Sequence, residues 1–150
     1  MINAISFYRL ANWLWRHPIP LLPRIVKLII FLLYNSSLPY ECSIGEGSFC
    51  GYGGIGVVLH SRSQIGRNVR ISPGVTVGGR SGSIGVPRLG DNVYIATGAK
   101  ILGDIDIGDY VIIGANAVVI HSIPSGSVVA GVPARIIKTG LTPEEFMRMT

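Results

Sequence analysis

From Leu59 onward an aliphatic residue returns at every sixth position. Ile65, Ile71, Val77, Leu89, Ile95, Ile101, Ile107, Ile113 and Val119 follow, and only Ser83 breaks the series of eleven. Leu, Ile and Val make up about a third of the chain, so this run is not chance. Four residues after these positions the side chains are mostly small or β-branched, as at Val69, Val75, Val93, Ala99, Val111 and Ala117. A period of six is neither the helical 3.6 nor strand alternation, and it predicts a parallel β-helix. Each hexad supplies one short strand and a corner, with the aliphatic residue pointing inward. Three hexads close a triangular coil, and coils stack at the strand spacing of about 4.8 Å. Residues 41 to 135 predict about five coils. Two stretches disturb the pattern. Ile44 in "SIGEGSF" is out of register by three, which predicts a distortion within "CGYGGIGVV". Residues 80–88 lack the pattern although the count in sixes survives them, which predicts a loop bulging outward.

The first 40 residues follow a different rule. Pro18, Pro20 and Pro23 interrupt their apolar runs, which predicts two short helices instead of one long one. The longest unbroken apolar run, Leu28 to Tyr34, is far below the roughly 18–20 residues of a membrane-spanning helix. No small-residue cleavage site follows a basic start, so a signal peptide is not expected either. Charge is lopsided here. The net charge is +5, and Arg9, Arg16, Arg24 and Lys27 supply four of these charges with no acidic residue before Glu41. The remainder is close to neutral, which argues against a nucleic-acid groove. Basic residues mixed with Trp13, Trp15 and Phe31 suit a helix on an anionic membrane surface. They also suit a cap packed on the rest of the protein or on a neighbouring subunit, and amphipathicity does not separate the two. The expected organisation is a helical, basic-aromatic segment 1–40, a β-helix 41–138 and a tail 139–150. The expected location is the cytoplasm, with peripheral contact at the inner face of the membrane if the segment binds lipid. Cys42 and Cys50 read as reduced, partly buried thiols.

Candidate chemistry starts from a histidine in a slot that is mostly Gly, Ala or Ser elsewhere. A spacing of 18 puts His60 in a column with Gly78, Ala96 and Gly114, beside a second column of Ser61, Gly79, Thr97 and Ala115. This is a strip of small residues ending in an imidazole, along which a long thin ligand could lie. Imidazole ionises near neutrality and suits general-base work; a corner histidine that merely hydrogen-bonds a loop is the alternative. Arg62 and Arg80, expected one coil apart beside the strip, suit phosphates or an acidic group, as do Lys100, Arg135 and Lys138. Tyr52 lies in the distorted early coil, where an acceptor could bind. His17, His60 and His121 do not fall in compatible columns, so no metal site is expected.

"IGRNVRISPGVTVGG", "VYIATGAKILGDIDIGDYVIIGANAVVI" and "AGVPARI" resemble the left-handed β-helix (hexapeptide-repeat) acyltransferases, most closely the serine acetyltransferase group. The resemblance covers about residues 41–138. It implies an all-β, left-handed parallel β-helix with a short helical N-terminal segment, assembled as a bacterial homotrimer. It further implies acetyl-CoA as co-substrate in a groove between subunits, contacted at Gly79, Thr97 and Ala115. A backbone N–H of the glycine-rich strip, at Gly78 or Gly79, would stabilise the oxyanion. The departures fall at the acceptor end. Matched through "GVTVGG", the serine enzymes' catalytic histidine falls on Gly53 and the aspartate beside it on Tyr52. Their carboxylate-holding histidine falls on Val86, its arginine neighbour on Gly85, and the orienting aspartate near Ser37 or Leu38. The tail also lacks the terminal isoleucine recognised by the cysteine synthase partner. The short N-terminal segment and "YGGIGVVLH" resemble a subgroup in surface-polysaccharide biosynthesis. The resulting expectation is acetyl transfer to a sugar hydroxyl with His60 as general base; serine O-acetylation is the alternative.

Overall fold

The computed structural model describes residues 2–150. Two helices, α1 (Ala4–Arg16) and α2 (Leu22–Tyr34), precede a solenoid of very short strands, and a last helix, α3 (Pro143–Met149), closes the chain. The strands form three flat faces. Sheet A stacks Val58–Leu59, Thr76–Gly78, Lys100–Leu102 and Val118–Val119, all parallel. Sheet B stacks Ser43–Ile44, Gln64–Ile65, Arg88–Leu89 and Asp106–Ile107, also parallel. Sheet C runs from Phe49–Cys50 through Arg70–Ile71, Tyr94–Ile95 and Ile112–Ile113 to Val128–Ala130, and ends in the antiparallel strand Arg135–Lys138. Sheets A and B hold four strands each, so the solenoid makes about four turns, close to the five expected.

The aliphatic hexad positions fill the interior. Leu59, Val77, Ile101 and Val119 line it from sheet A, and Ile71, Ile95, Ile113 and Val129 from sheet C, all buried. Val75, Ala99 and Ala117, all fully buried, fill the space where the walls meet. Cys50 continues the sheet C column and Cys42 lies beneath α1. Burial pushes both thiols up to about 12. Corners turn through left-handed backbone. At Gly98 (φ 76°) a Cβ would collide with the Asn116 side chain of the next coil, so only glycine fits.

The distortion expected between Cys50 and Leu59 is a short turn, Gly51–Gly54, that adds three residues to the first coil and puts Tyr52 and Gly53 at φ 51° and 79°. The 80–88 loop has a larger effect. Leu59 pairs with Val77, 18 residues on, but Val77 pairs with Ile101, 24 residues on. The loop therefore inserts one whole hexad. An insertion of six leaves the period intact while moving every later residue back by one face of the triangle.

α1 seals the first coil. Its cap residue Asn3 accepts from the Ile5 N–H at 3.1 Å and donates to the Cys50 carbonyl at 2.6 Å. Tyr8 donates its hydroxyl to the Cys42 carbonyl at 2.5 Å, and Asn12 donates to that of Tyr40 at 2.7 Å. Pro23 does not break a helix. It sits in the first turn of α2, where its missing N–H has no partner to lose. At the other end, the strand Arg135–Lys138 extends sheet C. The tail then doubles back over that sheet, packing Phe146 among Ile112, Val128 and Leu141 and edge-on to Tyr110.

Candidate active site

The candidate residues gather at two edges of sheet A, not along one strip. At the edge toward sheet B, His60 stacks on Gly78 and then on Leu102 and Ile120, because sheet A pairs Gly78 with Leu102. Ala96 and Gly114 belong to another edge, where Ala96 donates its N–H to the Ile113 carbonyl and Gly114 donates its N–H to that of Val129. The small-residue column expected above His60 is thus corrected to a short strip that ends after one coil. The cause is the six-residue insertion, which slides Ala96, Thr97, Gly114 and Ala115 back to the preceding corner.

Around His60 the strip is open. A Cβ built on Gly79 would meet nothing within 4 Å. One on Gly78 would meet only Leu102 and Thr76, both at 3.9 Å. Gly103 lies behind this stretch, and Arg80 lays its aliphatic stem against it. Backbone is therefore accessible to a ligand here over the width of two coils. The His60 ring has a defined state. Its Nδ1 accepts the backbone N–H of Arg62 at 3.1 Å, so a neutral ring carries its proton on Nε2. Among the described residues no carboxylate hydrogen-bonds to it. That geometry makes His60 a hydrogen-bond donor as it stands. Base work requires the Arg62 bond to be broken first.

Arg62 and Arg80 do share this corner. Arg62, however, spends its guanidinium on the loop, donating to the Ile84 carbonyl at 2.7 Å. The loop is also pinned by Val86, which is buried, and by Gly85, whose missing side chain makes room for Asp104. Its tip, Ile84, is 87% exposed. The Arg62–Ile84 tie and the Gly85–Asp104 contact were not foreseen, since neither a backbone carbonyl partner nor a packing gap leaves a signature in the sequence.

At the far edge of sheet A, Thr97 and Ala115 are both exposed. Lys100 is half-buried there and donates to the Gly74 carbonyl at 2.5 Å, so its ammonium ties corners together. Arg135 is exposed in the last strand of sheet C and donates to the Ala134 carbonyl at 3.2 Å. Tyr52 is 79% exposed beside buried Gly53, in a groove with Phe49, Arg70 and Tyr94. No group of three or more His, Cys, Asp or Glu side chains converges as a metal site would require, among the described residues. No described helix is long and apolar enough to cross a membrane.

Residues 87–121 match the model of the bacterial transferase hexapeptide (six repeats) family. The chain is 37% identical over 137 residues to a serine acetyltransferase of Synechococcus elongatus, covering 90% of this chain and 56% of that protein. It is 40% identical over 139 residues to the serine acetyltransferase of Mycobacterium tuberculosis, covering 91% and 60%. The crystal structure of serine acetyltransferase in complex with coenzyme A from Brucella abortus superposes with a TM-score of 0.85 at 36% identity, over 93% of this chain and 56% of that one. The chain thus spans less than two thirds of these relatives. They overturn the expectation of a sugar acceptor in surface-polysaccharide biosynthesis, because the proteins that match nine-tenths of this chain are named for transfer to serine. The short N-terminal segment and the histidine in "YGGIGVVLH" are too small a part of the chain to outweigh that match.

Proposed function

The chain has the hexapeptide-repeat left-handed β-helix acyltransferase fold and is serine acetyltransferase-like, and on that premise we propose that it acetylates the hydroxyl of L-serine. The observation that carries this reading is the match of about nine-tenths of the chain to serine acetyltransferases. Acetyl-CoA is the proposed co-substrate, supplying an acetyl group activated as a thioester. The open backbone at Gly78 and Gly79 fits its slender arm, since a side chain at either position would fill the space the arm needs. Either backbone N–H can then meet the carbonyl oxygen as negative charge develops on it.

The two edges of sheet A suggest how the rest of the ligand is held. Gly78, Gly79, Arg80 and His60 lie at one edge, and Thr97 and Ala115 at the other. In a homotrimer of prisms, the first edge of one subunit faces the second edge of its neighbour, and the cofactor groove runs between them. Arg80 and Arg135 are the exposed cations proposed to meet its phosphates; Lys100 is committed to Gly74.

His60 is the residue proposed to handle the proton. As general base it takes the serine hydroxyl proton once its ring leaves the Arg62 N–H. A second reading is favoured by that same bond: with Nδ1 occupied, Nε2–H donates to the thioester carbonyl oxygen as charge develops on it. The serine proton then leaves with the departing sulfur as free CoA thiol. The serine end itself is built differently from the family pattern, with buried Gly53, exposed Tyr52 and buried Val86 at the matched positions. Free CoA released from acetyl-CoA, with and without L-serine, tests the reading. Serine-dependent release is expected, and His60→Ala lowers it by about 10²–10⁴. Protein that binds acetyl-CoA yet releases no CoA on adding serine would overturn the proposal.

A further inference from the structure

α2 is apolar on both sides. Val26 and Ile30 are buried in the core cluster, where α2 packs against α1, as a surface helix requires. The opposite side should then be polar. Instead it presents Ile25, Leu28, Phe31 and Leu32, 44% to 70% exposed, and Trp13 on α1 is 53% exposed. A patch of this kind marks a surface that something covers.

The charges on it decide among occupants. Arg24 and Lys27 border the patch, and neither takes part in an ion pair among the described residues. No acidic residue occurs before Glu41. A second copy docked across a twofold axis would set these cations against themselves. A purely apolar partner would bury them unpaired. An anionic bilayer accepts both features at once. A pocket of about 270 Å³ joins them, lined by Arg24 and Lys27 beside Leu28 and Phe31, with Ser36 and Ser37 completing its wall. That is the chemistry of a lipid phosphate next to its acyl chain. α2 has 13 residues, too few to span a bilayer, so it lies in the interface plane.

We infer that the outer face of α1 and α2 docks this protein on an anionic lipid surface. Because α1 seals the first coil, and Leu59 and His60 belong to that coil, the docked solenoid stands with its candidate active site at the membrane-proximal end. The inference is independent of which acceptor the enzyme uses.

The test is flotation of the full chain with vesicles of phosphatidylcholine alone, or of phosphatidylcholine mixed with phosphatidylglycerol. Binding is expected to the mixed vesicles only, and to weaken with salt. Both of the chain's tryptophans lie on α1, so their emission should shift to the blue on binding. Each basic residue near such a surface contributes roughly fivefold, so Arg24→Gln with Lys27→Gln should lower partitioning about 25-fold. Leu28→Ser with Leu32→Ser should abolish it. These side chains are exposed, and circular dichroism confirms that the variants remain folded. A folded wild type that stays unbound, or that binds neutral vesicles equally well, overturns the inference. So does a lipid-free assembly that the Leu28→Ser, Leu32→Ser variant halves, since a second copy would then own the face.

Discussion

His60 keeps one nitrogen against the backbone, its Nδ1 accepting the Arg62 N–H at 3.1 Å. A base and a donor make opposite demands on the other nitrogen, and substitution can separate them. Glutamine retains a donor of similar reach but cannot accept a proton at neutral pH. With Nε2–H as the working group, His60→Gln should keep kcat within about tenfold of wild type, while His60→Ala loses about 10²–10³. Equal losses for the two variants would assign the base role instead. The position of this residue was legible in the sequence, because an imidazole in a slot usually held by Gly, Ala or Ser is conspicuous. Its protonation was not, since the partner that fixes it is a backbone amide, which every residue but proline carries. Arg62 shows the same limit. An exposed arginine beside a glycine strip suggests a ligand for phosphate, yet its guanidinium is held by the Ile84 carbonyl.

The loop after Gly79 carries the largest difference between expectation and structure at the level of elements. Hexad counting found the solenoid, its inward residues and the distortion at Gly51–Gly54, because each depends on burial that recurs with the coil. It misplaced Thr97 and Ala115 because a period of six cannot register an insertion of six. Only the pairing of Val77 with Ile101 reveals it. The same arithmetic predicts how the loop behaves when shortened. Deleting residues 80–85 removes one hexad, retains buried Val86 and leaves every inward residue on its own wall. Stability should change by less than about 1 kcal/mol, as expected for a modest change in loop length. Serine-dependent CoA release should nonetheless fall by about a hundredfold, because Arg80 is lost and Arg62 loses the carbonyl that holds it. Thermal melts beside kinetics check both halves. A variant that melts far below wild type would mean that the loop braces the solenoid.

At the scale of the whole molecule, one chain presents the parts of its candidate site at opposite edges of sheet A. His60, Gly78 and Gly79 are on one side and Thr97 and Ala115 on the other. Closed threefold packing of prisms would join unlike edges of neighbouring subunits, so each groove would take one edge from each of two chains. This makes activity recoverable from two inactive variants. His60→Ala disables the first edge, and Thr97→Trp blocks the second while its exposed position leaves the core untouched. Alone, each variant is expected to be inactive. When the two are unfolded together in equal amounts and refolded, a groove is intact only where an unaltered first edge meets an unaltered second edge. Random assembly produces that in about one groove in four. CoA release should therefore recover to roughly a quarter of the wild-type rate. If a single chain supplied both edges of its own groove, every groove would still contain one altered residue and the mixture would stay inactive. Mixing the variants without unfolding separates assembly from contamination, because folded trimers that do not exchange subunits should show no recovery.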